Sequence, residues 1–168
     1  MTLRTERLVL RQPSAAHTQA VVAFFGSERA RFVGGPMDTG KAWRAFASFA
    51  GHWTLRGFGS FVAETASDAR PVALVGPWFP GDWPEREIGW SLLAAQDEGQ
   101  GYATEAARAC LAHAFGPLGW DTAVSYIHKD NHASCAVAER LGARLEPKTA
   151  APGADDLVYR HTAPGVQP

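Results

Sequence analysis

Apolar and polar positions along this chain alternate with two different periods, and the switches between them mark out a series of short strands and helices. Leu8-Val9-Leu10 lies between charges and stops ahead of Pro13, as a short opening strand does. Ser14 then stands at an N-cap position before a helix through Phe25, whose apolar face carries Val21, Val22, Phe24 and Phe25. After a Gly-Gly-Pro break at 34–36, Trp43, Phe46, Ala47, Ala50 and Trp53 recur at steps of three and four, which predicts a second amphipathic helix over Lys41 to Thr54. Gly59 to Glu64 and Val72 to Val75 read as strands around the turn-rich segment 67–71. The aromatic, Pro-rich stretch GPWFPGDWPE at 76–85 reads as a loop, and a strand follows over Glu87 to Leu93.

The next helix, Ala103 to Phe115, gathers Ala103, Ala106, Ala107, Cys110 and Ala114 on one stripe, small enough for close packing on a sheet. Thr122 to Ile127 is strand-like, and Ser134 to Leu141 is helical, closed by Gly142 at a C-cap position. Arg144 to Glu146 and Leu157 to Arg160 read as two last strands joined by a long loop. No repeat, low-complexity block or interdomain linker interrupts the pattern. One mixed α/β domain over 1–168 is expected, with 162–168 as a flexible tail.

Composition acts on this picture by exclusion. The 168 residues are enough for one domain with its own core. With 16 basic against 17 acidic side chains there is no electrostatic footprint for nucleic acid or an anionic membrane. The N-terminus MTLRTERLVLRQP carries charges where a signal peptide needs an apolar run, and no segment approaches the ~20 apolar residues of a membrane span. Cys110 and Cys135 form no CxxC spacing and read as reduced thiols, so a cytoplasmic protein is expected. His128 and His132 are four apart, but the intervening KDN breaks any helix, and no metal site is expected.

The stretch with the most chemical content is REIGWSLLAAQDEGQGYATEAARACLAHAF, residues 86–115. A strand runs into a turn holding Gly99, Gln100 and Gly101, and the turn opens directly into a helix at Tyr102, Ala103 and Thr104. Glycines permit a sharp bend and close backbone approach, while the free N–H groups and positive end of the helix suit a phosphate or pyrophosphate. Two rival phosphate motifs fail. GPMDTGKA at 35–42 is one residue short of a P-loop and has Ala42 where a hydroxyl must reach Mg²⁺. A dinucleotide fingerprint at Gly99-Gln100-Gly101 has Thr104 in place of its third glycine, and Asp130 comes too late for a ribose contact.

Three pieces in order, EIGWSLL, EGQGYATEA and NHASCAVAERLGARLE, resemble the GNAT superfamily of N-acetyltransferases, most closely its RimJ/RimL-like branch. The resemblance implies a mixed, mostly antiparallel central sheet whose two parallel central strands splay apart, with flanking helices. It implies acetyl-CoA as acyl donor, with its pyrophosphate on the turn from Glu98 to Ala103. Gly101 and Ala103 match the family's turn pattern, whereas Glu98 stands where Gln or Arg is usual and is expected to point into solvent. The pantetheine arm is expected to lie like an extra strand beside Ser91, Leu92 and Leu93, with a backbone N–H near Leu92 facing the thioester carbonyl. Asn131 and Ser134 match the family's N-x-x-S, Asn131 holding the pantetheine or its loop and Ser134 lying near the sulfur. Many members place a Tyr general acid where this chain has Ala138, which leaves Ser134 or water as donor.

Glu87 is the candidate base, working through water; the alternative is a solvated carboxylate or one paired with Arg86 or Arg160. Tyr126 and His128 fall near the expected position of the sulfur. Trp43, Trp53, Trp78, Phe79 and Trp83 are candidate walls for the acceptor, or simply caps on the core. Asp38, Asp82 and Glu85 are loop acids able to attract an ammonium, and the loop Pro147 to Asp155 is a candidate far rim. The implied reaction is direct attack of a primary amine, from a protein N-terminus or a small molecule, on the thioester. An inactive CoA-binding or sensor protein is the alternative, and a homodimer is left open.

Overall fold

A computed structural model of the chain describes residues 1–147 and 149–165. Its strand-period segments are β1 (Thr2–Arg4), β2 (Leu8–Arg11), β3 (Phe61–Thr65), β4 (Pro71–Trp78), β5 (Glu87–Leu92), β6 (Thr122–His128), β7 (Arg144–Glu146) and β8 (Asp156–Thr162). They form one sheet in the order β1-β2-β3-β4-β5-β6-β8-β7. Every neighbouring pair is antiparallel except β5 and β6, which are parallel and central. The helices are α1 (Thr18–Phe25), α2 (Thr39–Arg56), α3 (Tyr102–Phe115) and α4 (His132–Arg140). This is the mixed, mostly antiparallel architecture that the resemblance implies.

Two apolar layers clamp the sheet. On one face Val21, Phe24 and Phe25 of α1 and Ala42 and Phe46 of α2 pack on Val62, Leu74 and Leu93. On the other, the small stripe of α3 (Ala106, Ala107, Cys110 and Ala114, all fully buried) lies against Leu8, Leu10, Phe61 and Ile88. Ala138 of α4 packs with Ile127 and Tyr159. Cys110 and Cys135 are both free thiols.

The sheet departs from its regular ladder where β5 meets β6. Among the described residues that pair has one register contact, Glu87 with Val124, backed by the Val124 N–H donating to the Arg86 carbonyl at 2.9 Å. The next link is a side chain: the Ser125 hydroxyl donates to the Ile88 carbonyl at 2.7 Å. The strands therefore part beyond Ile88, and Trp90 to Leu92 border a gap.

Several boundaries differ from the sequence reading. Gly76, Pro77 and Trp78 belong to β4 rather than to a loop. Pro77 fits because pairing with β3 ends at Phe61–Val75, so its missing N–H removes no ladder bond on that side. Ser14 opens a 3-10 turn, Ala15–His17, with its N–H donating to His17 Nδ1 at 3.0 Å, and α1 starts only at Thr18. Residues Glu28–Val33 form an unforeseen 3-10 segment. The chain also starts the sheet earlier, with β1. Thr162, expected in a tail, pairs with Thr122, and the Ala163 N–H bonds the Asp121 carbonyl at 2.9 Å; residues 166–168 of that expected tail lie outside the described residues.

Candidate active site

The backbone of β5 has two sides. Leu93 donates its N–H to the Val72 carbonyl, and Ala73 stands opposite Leu92, so the odd-numbered residues spend their backbone groups on β4. The even-numbered residues turn theirs the other way. Ile88 accepts from Ser125 on that side, and the N–H groups of Trp90 and Leu92 face the gap. Of the three residues expected to border pantetheine, Leu92 offers its backbone and Ser91 its side chain. Leu93 does neither: it is buried in the layer under α1 and α2. Trp90, which the motif text does not single out, takes its place.

Below the gap lies the glycine turn. Gly99 (φ +73°) and Gly101 (φ +80°) both adopt the left-handed conformation that other residues resist. Gly101 caps α3 directly, so the first-turn N–H groups at Tyr102, Ala103 and Thr104 are presented to the cleft. Arg7 pins this turn from β2's side: its Nη1 donates to the Gln100 carbonyl at 2.9 Å, its Nε to Glu105 at 2.7 Å, and its guanidinium lies over the Tyr102 ring. Gly99, Gly101, Tyr102, Ala103 and Thr104 line the cleft, and Gln100 between them does not.

Glu98 is exposed to solvent, as expected, but not unpaired. Its carboxylate accepts from Arg29 Nη1 at 2.7 Å, and Arg29 Nη2 donates to the Leu92 carbonyl at 3.3 Å. Arg29, on the 3-10 segment, thus bridges the turn to the gap-facing edge of β5 and neutralises the acid that stands in place of Gln or Arg. The cleft measures about 1340 Å³, and Arg7, Arg29, Arg31, Arg108 and Arg140 all line it. Backbone donors, left-handed glycines and this cationic rim fit a phosphorylated carrier such as acetyl-CoA.

A second, smaller pocket of about 560 Å³ opens on the α1/α2 side of the sheet. Phe32, Val33, Trp90, Ser91, Asn131 and Ser134 line both spaces and so mark their junction. Asn131 accepts the Ser134 N–H at 3.3 Å and caps α4, which fixes Ser134 at that junction. Ala138 is fully buried against Tyr159, so α4 presents no phenol there.

Glu87 lies on this pocket's floor. Its carboxylate accepts from Trp83 Nε1 at 2.5 Å, and it pairs with neither arginine proposed as its partner. Arg86 lies over the Trp120 ring, and Arg160 is held by Glu85 and Glu146 at 2.6–2.8 Å. Burial pushes the Glu87 carboxyl up to about 7, against the hydrogen bonds from Trp83 and the Tyr126 backbone, with the Asp156 charge adding to the rise. A carboxyl poised there changes protonation near neutral pH. Tyr126 and His128 also line the pocket; burial, then the Glu85 charge, raises the Tyr126 phenol to about 12, and Phe32 stacks on His128 at 5.1 Å.

Only part of the expected acceptor wall is in place. Trp78 and Trp83 line the pocket, joined by Phe25, Phe32 and Phe49. Trp53 packs edge-on against Phe61 and donates to the Ser60 carbonyl, Phe79 carries Arg56 on its face, and Trp43 is 56% exposed. Asp38 caps α2 through the Lys41 N–H and Glu85 is spent on Arg160, so neither is free to greet an ammonium. Asp156, at the start of β8, is the acid that does line the pocket, with Pro152 and Gly153 of the long loop beside it.

These two spaces, one for a phosphorylated carrier and one for a second reactant, define an acyltransferase. A family model described as an acetyltransferase (GNAT) domain matches residues 7–144, and the chain belongs to that family of acetyl-CoA-dependent N-acetyltransferases. An acetyltransferase from Agrobacterium tumefaciens strain C58 is 38% identical, superposes with a TM-score of 0.90, and is matched over 96% of this chain and 94% of its own. A GNAT-family acetyltransferase from Bordetella pertussis is 27% identical over 96% of this chain and 99% of its own, with a TM-score of 0.81. RimL, a ribosomal L7/L12 alpha-N-protein acetyltransferase solved with coenzyme A, shares the fold at 17% identity and a TM-score of 0.72, over 97% of this chain and 98% of its own. No described helix is long and apolar enough to cross a membrane.

Proposed function

We propose that this protein transfers the acetyl group of acetyl-CoA to a primary amine by direct attack on the thioester, as a RimJ/RimL-like N-acetyltransferase. The observation that carries the reading is the single junction at Trp90, Ser91, Asn131 and Ser134, where an arginine-rimmed cleft meets a carboxylate-floored pocket. The turn N–H groups and Arg29 take the pyrophosphate. The Trp90 and Leu92 N–H groups in the gap serve the pantetheine and the developing oxyanion, a role worth ~10²–10³ in rate per donor.

The amine must lose a proton before it attacks. At pH 7 a Lys-like amine of pKa ~10.4 requires roughly 4–5 kcal/mol to be neutral, and an α-amine of pKa ~8 only about 1.4. Glu87, raised to about 7, accepts that proton directly or through water. As nitrogen bonds to the carbonyl carbon the C–S bond breaks, and the second proton, shed by the now cationic nitrogen, passes through Ser134 or water to the departing thiolate. A leaving thiol of pKa ~8.5 departs tolerably without a strong acid, so burying Ala138 where a phenol is usual does not disable the site.

Thermal unfolding with acetyl-CoA tests the donor assignment. At about 100 times Kd the expected stabilisation is ~2.7 kcal/mol, which moves the midpoint of a chain this size by roughly 5–10 °C. An unmoved midpoint refutes the donor. Arg29 gives a sharper check: Arg29→Ala is expected to weaken acetyl-CoA binding by roughly tenfold, since it removes a phosphate partner and leaves Glu98 uncompensated. Adding Glu98→Gln to that variant is expected to recover part of the loss by calorimetric titration; no recovery removes the charge argument.

A further inference from the structure

The two spaces differ in charge as well as in size. Five arginines against three glutamates line the larger cleft, whereas the smaller pocket has no Lys or Arg among its described lining residues. Its acidic groups are Glu87 and Asp156, the latter also accepting the Gly153 N–H at 2.9 Å, and His128 is the one imidazole among its described lining residues. Such a lining favours one positive charge and offers nothing to a carboxylate or phosphate on the acceptor.

Its far wall is apolar and closed. Phe49 lies between Phe25 (6.1 Å) and Trp78 (4.4 Å), and Trp78 stands directly across the β4–β5 ladder from Glu87. Met37 completes that side, whereas Phe32 lines both spaces and stacks on His128. The Trp78 ring is itself backed by His52 at 4.6 Å, whose Nδ1 meets the Phe58 carbonyl and whose Nε2 accepts the Phe79 N–H. The wall is therefore braced from behind.

The floor between wall and junction is Gly89, where a Cβ would sit 3.4 Å from the Glu87 carboxylate oxygen. The missing side chain leaves room for an amine between Glu87 and Ser91. An acceptor seated there projects its body at Phe49 and Trp78, and a space of about 560 Å³ matches a small organic molecule.

We infer, building on the acetyl-transfer reading, that the acceptor is a small primary amine with one positive charge and an apolar, ring-sized body, and that Phe49 and Trp78 select it over short amines, polyamines and polypeptide N-termini. Burying a ring-sized apolar group against aromatic walls corresponds to roughly 10- to 100-fold in kcat/KM over the same amine without it. A polyamine would place a second charge against Phe49 and Trp78, and a peptide would place its next amide there without hydrogen-bond partners.

The test measures thiol release with 2-phenylethylamine, ethylamine, spermidine and an Ala-initiated hexapeptide, with the acetyl-CoA midpoint shift recorded on the same protein. The expected result is 2-phenylethylamine at least tenfold above each of the others. Phe49→Ala and, as a milder second variant, Trp78→Leu are expected to keep the acetyl-CoA shift and bring 2-phenylethylamine to within threefold of ethylamine. A preference below tenfold, a better rate with spermidine or the peptide, or variants that retain the full preference overturn the inference while leaving acetyl transfer intact. Failure of every amine despite an acetyl-CoA shift overturns the acceptor assignment as well as turnover; absence of the shift overturns the reading on which both rest.

Discussion

Gly101→Trp is expected to abolish acetyl-CoA binding: the ligand-induced rise in unfolding midpoint disappears, and affinity falls by at least 100-fold. Gly101 sits at φ +80° and caps α3, with Arg7 Nη2 only 3.4 Å from where a Cβ would lie. A tryptophan there has to hold a left-handed backbone, at roughly 1–2 kcal/mol, and its indole cannot retreat toward the braced Arg7. It is left to cover the first-turn N–H groups that the pyrophosphate needs. Gly101→Asn separates backbone from bulk, because asparagine tolerates the left-handed region with a short side chain. That variant is expected to stay within about tenfold of the parent by calorimetric titration. Equal losses in both variants would assign the effect to backbone strain rather than to an occluded phosphate site.

Glu87→Gln carries the second large effect. Acetyl-CoA binding is expected to be unchanged, while kcat/KM falls by about 10²–10⁴, the usual contribution of a general base. The parent's pH–rate profile is expected to rise through about pH 7, where the Glu87 carboxyl ionises, and that limb is absent in the variant. Stability moves in the opposite sense. The folded carboxyl has its pKa raised above the ordinary 4.5, so the unfolded chain releases that proton first. The parent therefore loses stability as pH rises from about 4.5 through 7, and glutamine does not. Glu87→Gln is expected to be more stable to unfolding than the parent at pH 8, by on the order of 1–3 kcal/mol, with the two converging near pH 4. A slower enzyme that is no more stable at pH 8 would mean that Glu87 is not desolvated as the structure has it.

Much of this arrangement was legible in the chain itself. The Ala and Cys stripe of α3 announced a helix packed on a sheet, and G-Q-G followed by Y-A-T announced an anion turn, because glycine and helix-start chemistry are local. N-x-x-S pointed to Asn131 and Ser134 only through the family resemblance, and the structure shows Asn131 capping α4 by accepting the Ser134 N–H. What escaped depended on register. Gly76-Pro77-Trp78 looks like a loop, yet β4 continues through it because β3 has already ended. That continuation brings Trp78 opposite Glu87 and makes it a wall, while the equally aromatic Trp53 faces the core against Phe61. Arg29 gave no signal, since its partners Glu98 and Leu92 are over sixty residues away. Asp156 likewise acquires meaning only when β8 pairs with β6 and sets it beside His128. Leu93 shows the converse: it is adjacent in sequence to the gap-facing edge of β5, but strand alternation turns its backbone to β4.

In the proposed reaction, acyl donor and amine meet at the junction of the two spaces. Its most direct test is thiol release from acetyl-CoA measured against formation of N-acetylated amine in the same reaction, across a panel of primary amines. One N-acetyl product is expected for each thiol released, with at least one amine raising release well above the rate in its absence. Release that no amine accelerates, or thiol formed without N-acetyl product, would contradict it and leave a protein that holds acetyl-CoA without passing the acetyl group on.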